Sequence, residues 1–286
     1  MKTPVLLIAA AALVGPGAPL AAQFEAPLVS PRATVTQRIG VTDFSVSYSR
    51  PGVKGRVIWG GLVPYDKPWR TGANRATTIT APDDFEVEGR KLPGGTYSIV
   101  TIPGKESWTV AFNTDLDLWS RTTYDEKKDA LRVAVKPVAT AESVETFTIV
   151  FRNVTNESVD LSFIWEKLRI PVKIKVDTKA LILKNGRDAA THAKADDWAT
   201  PLTVGRAFFS EKVGEPGEAL TLVERSVSVK KDYSSVALKA RILAADGKTA
   251  EAIKAGEEAL VLAKASPDKP NMEAFEKALT EWKSKK

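Results

Sequence analysis

The alternation of apolar and polar residues between positions 33 and 177 is the feature that most constrains this fold. Phe44, Val46 and Tyr48 alternate with serines, and the same spacing recurs over residues 131–135 and 170–176. A period of two gives a β-strand one core-facing row of side chains and one solvent-facing row. Further strands are predicted at residues 76–80, 96–102, 108–113, 144–152 and 159–165. Many short strands separated by Pro-Gly turns predict an all-β sandwich or barrel-like domain over residues 23–177.

The pattern changes to a helical one after Thr178. Thr178 is the predicted N-cap of a helix over residues 179–190, within a connector that covers residues 178–195. A repeat with a spacing of 33 residues follows: Ala207, Gly214, Ala219, Leu220, Ser226 and Val229 recur as Ala240, Gly247, Ala252, Ile253, Ala259 and Leu262. This spacing is typical of helical hairpins, so residues 196–286 are predicted to form a small all-α region that resembles tetratricopeptide repeats.

The N-terminus has the pattern of a secretory signal peptide over residues 1–22. Lys2 precedes a ten-residue apolar run at positions 5–14, which is too short to span a bilayer, and Ala21 and Ala22 stand before the predicted cleavage site. The sequence contains no cysteine, which removes thiolate chemistry, disulfides and a lipid-modified N-terminal cysteine. We therefore expect a soluble protein of the periplasm or cell exterior that is not a lipoprotein and has no transmembrane segment when mature.

The charge pattern restricts the partners. The net charge is +6, with basic and acidic residues interspersed and without a polybasic run. This indicates a solvated surface with mild attraction to anions, and nucleic-acid binding is not expected.

Residues 48–80 hold the densest set of candidate binding groups. Arginine offers planar, forked donors for carboxylate, phosphate or sulfate, aromatic rings can stack on sugars, and glycine lets a backbone approach closely. The candidate binding residues are Arg50, Arg56, Tyr65, Trp69, Arg70, Asn74 and Arg75. Two interpretations stay open. The residues form a site for an anionic or carbohydrate ligand, or buried arginines tie long loops to the sandwich.

Other chemistry-bearing residues give weaker patterns. His192 is the single histidine, so neither a His-based triad nor a multi-histidine metal site can be assembled. The acidic residues after position 113 do not match a calcium loop, and a solvated acidic face explains them better than a catalytic carboxylate pair. No metal and no cofactor is predicted.

Several long motifs resemble the domain-of-unknown-function family 2911, a group of exported bacterial proteins. They are SPRATVTQRIG (30–40), SVSYSRPGVKGRVIWGGLVPYDKPWRTGANRATTI (45–79), LPGGTYSIVTIPG (92–104), WTVAFN (108–113) and WEKLRIPV (165–172). The resemblance covers residues 28–177, and members often carry a tetratricopeptide-like tail. The chain departs from the family pattern at Arg75, where the family usually has an acid. The resemblance implies no established activity, so it gives no residue a catalytic role.

Together these patterns predict a non-enzymatic binding or assembly module outside the cytoplasm, with a possible protein partner on the helical tail. The alternative is a hydrolase that acts on an envelope sugar or ester without His or Cys chemistry.

Overall fold

The computed structural model describes residues 27–118 and 123–284. The predicted signal peptide lies outside the described residues. Within these described residues, ten strands precede six helices. The strands are β1 (Arg32–Ile39), β2 (Thr42–Ser49), β3 (Thr78–Ala81), β4 (Phe85–Val87), β5 (Arg90–Leu92), β6 (Gly95–Ile102), β7 (Trp108–Asn113), β8 (Asp129–Val135), β9 (Val138–Arg152) and β10 (Ser158–Lys175).

The strands form two antiparallel sheets. The first has the order β1-β2-β3-β6-β7-β8, and the second has the order β5-β4-β10-β9. One hydrophobic core contains residues of both sheets, among them Phe44 and Val46 of β2, Phe147 of β9 and Val172 of β10. The predicted all-β sandwich is therefore confirmed.

The predicted alternation decides which side chains enter this core. Phe44, Val46 and Tyr48 are buried, whereas Asp43, Ser45 and Ser47 keep exposed or half-buried positions. The strands predicted at residues 159–165 and 170–176 are one continuous strand, β10, whose pairing with β9 is interrupted by register shifts on both sides of Glu166. Such bulges bend a strand and re-aim its side chains.

The helices are α1 (Thr178–His192), α2 (Ala199–Glu211), α3 (Glu218–Val229), α4 (Tyr233–Ala245), α5 (Thr249–Ala265) and α6 (Glu273–Ser284). The predicted N-cap of α1 is wrong by one residue. Asp177 is the cap, and its carboxylate accepts a hydrogen bond from the Ala180 backbone N–H at 2.9 Å. The Thr178 hydroxyl instead donates to the carbonyl of Asn156, which ties the start of α1 to the β9–β10 hairpin.

The 33-residue spacing corresponds to two helical hairpins, α2–α3 and α4–α5. Gly214 and Gly247 lie in the two turns with φ of 92° and 75°, conformations that favour glycine. Ala207 and Ala240 occupy the first helix of each hairpin. The hairpins confirm a helical tail, and its kinship with tetratricopeptide repeats stays a prediction.

The tail has its own hydrophobic core, which includes Leu202, Val223, Leu238 and Phe275, while Leu181 of α1 joins the core of the sandwich. No described helix is both long and apolar enough to cross a membrane.

Candidate functional site

The long connection between β2 and β3 covers one end of the first sheet. Trp69 exchanges both backbone hydrogen bonds with Thr101 of β6, at 2.7 and 2.8 Å. Nearer β2, the Val53 N–H donates to the Glu145 carbonyl at 2.8 Å, and the Phe147 N–H donates to the Pro51 carbonyl at 2.9 Å. The connection therefore bridges the two sheets instead of extending into solvent.

An aromatic cluster lies beneath this connection. The Trp69 ring is stacked on Trp165 of β10 with centroids 5.7 Å apart, and Trp59 and Phe147 meet Trp69 edge to face at 6.0 and 5.2 Å. The indole N–H groups of Trp69 and Trp165 donate to the carbonyls of Gly72 and Glu145. These two rings are thus fixed by packing and by their polar ends.

A cleft of about 420 Å³ opens over Trp69 and Trp165. Its lining residues are Val29, Ser30, Pro51, Gly52, Lys54, Arg56, Leu62, Val63, Pro64, Pro68, Trp69, Arg70, Gly72, Ala73 and Trp165. Three of these side chains are cationic, and none of the lining residues is an Asp, Glu or His. The cleft, as far as the structure describes it, is a positively charged cavity with apolar walls.

Arg70 is the unusual member of this set. Its Nε atom is buried and has no hydrogen-bond partner. No hydrogen bond or ion pair joins its guanidinium to another residue of the described chain, and burial lowers the pKa of Arg70 without an acidic neighbour to offset the effect. Arg70 as a whole is half-buried, and desolvation of part of an unpaired charge is costly.

The backbone around Arg70 is held rigidly. Thr71 is fully buried, and its hydroxyl donates to the Thr101 hydroxyl at 3.2 Å. The Thr77 hydroxyl donates to the Thr71 carbonyl at 2.6 Å. Gly72 has a φ of 153°, and a Cβ there would lie 3.0 Å from the Ser49 carbonyl oxygen, so glycine permits this close approach. These contacts fix the position of Arg70 before any ligand binds.

The structure brings three of the predicted site residues into the cleft: Arg56, Trp69 and Arg70. Arg56 lies at the exposed rim, where its guanidinium donates to the carbonyls of Val53 and Gly52 at 3.1 and 2.6 Å. Because Arg56 is exposed at the rim, its charge can attract an anion, although its Nε and Nη2 atoms are already bonded to backbone carbonyls.

Arg50 and Asn74 make structural ties. The Arg50 guanidinium donates to the Phe147 carbonyl at 3.3 Å and to the Thr148 hydroxyl at 3.0 Å, which links the end of β2 to β9. The Asn74 amide donates to the Ser30 carbonyl at 3.0 Å and so holds one wall of the cleft. These contacts agree with the interpretation in which Arg50 and Asn74 tie loops to the sandwich.

Tyr65 and Arg75 lie outside the lining of the cleft. Tyr65 packs against Gly60, where a Cβ would lie 2.9 Å from the Tyr65 ring. Arg75 is exposed beside a separate hollow of about 670 Å³ that is lined by Thr114, Asp115, Leu116, Asp117 and Lys128. In that hollow Lys128 and Asp115 form an ion pair at 2.7 Å, and the hydrogen bond from Lys128 lowers the pKa of Asp115.

The sequence prediction missed Lys54, Trp165 and Val29. Lys54 lies inside the predicted segment, but a lysine lacks the forked donors that mark the arginines as candidate anion ligands. Trp165 is a buried strand residue whose sequence context resembles that of any core tryptophan, and it reaches the cleft beside the bulge at Glu166. Val29 precedes the first strand and carries no motif of its own, so no signal in the sequence marks it.

The remaining candidates have structural surroundings. His192 is exposed and contacts the carbonyl and carboxylate of Asp188, one turn earlier in α1. Asp129 is buried and accepts hydrogen bonds from Tyr124 and Asn113, and burial followed by this bond raises the pKa of Tyr124. Within the described residues no group of three or more His, Asp or Glu side chains could hold a metal ion.

Comparison with known proteins identifies the family. Residues 30–174 match the model of a protein family of unknown function, DUF2911. Neither the curated proteins nor the solved structures contain a match to this chain. The family match spans the sandwich that forms the cleft, including the segment around Arg70 and the strand that carries Trp165. The chain therefore belongs to the DUF2911 family.

Proposed function

We propose that this protein is a non-enzymatic ligand-binding module of the periplasm or cell exterior, and that its ligand carries a negative charge that pairs with Arg70. The observation that carries the proposal is Arg70, a half-buried residue whose buried Nε has no partner, in a cleft whose lining includes no Asp or Glu. An anionic ligand would supply the partner that the described residues do not.

The energetics favour occupation of this cleft by an anion. A hydrogen bond to a charged group contributes roughly 1.5–3 kcal/mol, and the forked donors of arginine fit a carboxylate or phosphate in two parallel bonds. Arg70 is already partly desolvated, so less dehydration of this side chain is needed when the ligand enters. Lys54 and Arg56 at the exposed rim add a field that attracts anions toward the cleft.

The alternative hydrolase has less support at this cleft. A glycosidase needs two opposed carboxylates, and an esterase needs an activated nucleophile beside a base. The lining offers one hydroxyl, that of Ser30, and no acidic or imidazole side chain among its residues. A protein partner on the helical tail stays a prediction.

The test is titration of the mature chain with anions of different chemistry: sulfate, phosphate, benzoate and trigalacturonate. Trp69 and Trp165 line the cleft, so intrinsic fluorescence reports occupancy, and calorimetry gives the stoichiometry. We expect at least one anion to bind one to one, with affinity reduced at least tenfold in Arg70→Ala. Arg206→Ala, which removes an exposed arginine of α2, is the matched control and should leave binding unchanged.

Two results would contradict the proposal. The first is that none of the anions binds, or that binding is insensitive to Arg70→Ala. The second is turnover of an acidic oligosaccharide or an aryl ester that Arg70→Ala abolishes, which would favour the hydrolase.

A further inference from the structure

Exposed aliphatic side chains gather at the mouth of the cleft. Nine large hydrophobic residues of the described chain are exposed, and four of them lie in the two segments that border the cleft. Val29 and Leu62 line it directly, with 79% and 47% of their surface exposed. Val57 lies beside Leu62, whose N–H donates to the Val57 carbonyl at 3.0 Å, and Leu28 precedes Val29. A concentrated apolar patch of this kind marks a contact surface, whereas single exposed residues do not.

The walls of the cleft are poor in polar side chains. Pro51, Pro64, Pro68, Val63 and Ala73 contribute apolar surface, and the three prolines also lack a backbone N–H donor. The polar side chains of the lining are one hydroxyl and three cations, without a carboxylate or an amide. A sugar presents many hydroxyl groups that need both donors and acceptors, so these walls match a polyhydroxylated ligand poorly.

The tryptophan rings also fit an aliphatic ligand better than a sugar. Sugar stacking requires a free ring face. Trp165 is only 1% exposed and is stacked on one face of Trp69, and Trp59 and Phe147 lie edge to face with Trp69. The two rings that line the cleft therefore act as an apolar wall rather than as an open stacking platform.

From this distribution of charge and apolar surface we propose that the ligand is an amphiphilic anion, with one acidic head group at Arg70 and an aliphatic tail over Val29 and Leu62. This inference rests on the proposed function and adds the ligand class. Arg70 is a half-buried lining residue, whereas Val29 and Leu62 are exposed, so the head group lies deeper and the tail extends outward. The volume of the cleft is within the range of roughly 300–1,000 Å³ that is usual for sites of single small molecules.

The test compares head, tail and whole ligand on the full mature chain. The probes are decanoate and decyl phosphate, both below their micelle concentrations, with sulfate and phosphate as heads, decanol as the tail, and trigalacturonate as an acidic sugar. We expect decanoate or decyl phosphate to bind one to one, at least tenfold more tightly than any of the other four probes. The two amphiphiles distinguish a carboxylate head from a phosphate head.

Single substitutions test the contributions of the head group and the tail to binding separately. Val29→Ser should weaken binding of the amphiphile about three- to tenfold, because burial of apolar surface is lost, and should leave sulfate binding unchanged. Val261→Ser is the matched control, since Val261 is 67% exposed on α5, away from the cleft, and it should change neither. Arg70→Ala should weaken all anions together.

Each contrary result has a distinct meaning. If decanoate and decyl phosphate bind no more tightly than sulfate, or trigalacturonate binds most tightly, the amphiphile assignment is wrong and the anion site stands. If decanol binds as tightly as decanoate, Arg70 does not select the ligand and the assignment also fails. If no anion binds at all, the proposed function itself fails.

Discussion

Substitution by methionine is expected to lower the unfolding free energy at Arg50 but not at Arg70. The Arg50 guanidinium donates to the Phe147 carbonyl and to the Thr148 hydroxyl, whereas the buried Nε of Arg70 has no partner. Methionine keeps much of the length of the arginine side chain and removes its charge and donors. The pair Arg50→Met and Arg70→Met therefore compares a bonded guanidinium with an unbonded one.

The magnitudes follow from the hydrogen bonds. Arg50→Met removes two bonds from a charged donor, and a cost of about 2–3 kcal/mol is expected because the group is only half-buried. Arg70→Met removes a half-buried guanidinium whose buried Nε makes no hydrogen bond in the free protein. An unsatisfied buried donor costs about 1–3 kcal/mol, so the unfolding free energy should stay level or rise by up to about 2 kcal/mol. The two variants should differ by roughly 2–5 kcal/mol.

Urea unfolding of the full mature chain measures both values. Tryptophan fluorescence follows the sandwich through the cluster of Trp59, Trp69 and Trp165, and equal m-values would show that only stability has changed. A loss of more than about 1 kcal/mol in Arg70→Met would refute the reasoning, because it would mean that Arg70 has a partner in the free protein. Unchanged stability of Arg50→Met would remove the structural role of that residue.

Further predictions concern the tail and the ends of the chain. A Cβ at Gly205 would lie 3.0 Å from a backbone oxygen of α3, so Gly205→Ala should lower the melting temperature of the helices, measured by circular dichroism, and an unchanged melt would contradict that packing. The hydrogen bond from Arg187 lowers the pKa of Glu218. The ion pair therefore contributes its full stability above the unfolded pKa of Glu218 and loses it as pH falls through the folded pKa. Glu218→Gln should accordingly reduce the loss of protein stability between about pH 5 and pH 3. A chain that ends at residue 178 should keep β-type circular dichroism and a cooperative melt, and an unfolded product would mean that the helices complete the sandwich. Mass spectrometry of the native protein should place its N-terminus near Gln23, and an intact N-terminus would contradict the signal peptide.

Much of the sandwich could be predicted because its signal is local. Phe44, Val46 and Tyr48 enter the core as their period-two spacing requires, and β7 has the predicted bounds Trp108–Asn113. The turn glycines Gly214 and Gly247 likewise mark both helical hairpins through a spacing that is visible in the sequence. Sheet order was not predictable, since it depends on contacts between strands that are distant along the chain.

The start of α1, between the sandwich and the helical tail, could not be predicted from the local sequence alone. Both Asp177 and Thr178 are good N-caps by residue type. In the structure Asp177 is the cap, and the Thr178 hydroxyl donates to the Asn156 carbonyl in the β9–β10 hairpin. The sequence alone offers two residues of nearly equal local propensity, and the role of Thr178 depends on a tertiary contact that the sequence does not show.

The candidate site depends even more on tertiary contacts. Arg50 and Arg70 lie in one loop-rich segment, each within two residues of an aromatic side chain, and the same chemistry recommends both as anion ligands. Arg50 points its donors at β9, and Arg70 sits in a cleft where the described chain offers it no acceptor. Nothing in their sequence neighbourhoods separates these outcomes, because the acceptors that engage Arg50 belong to residues 147 and 148, nearly one hundred positions away. A half-buried arginine whose buried Nε has no partner lowers the stability of the free protein, and such a cost is usual at sites where a ligand completes the interaction. The unmet charge of Arg70, rather than the density of arginines around it, is therefore the property that separates a binding residue from a structural tie in this segment.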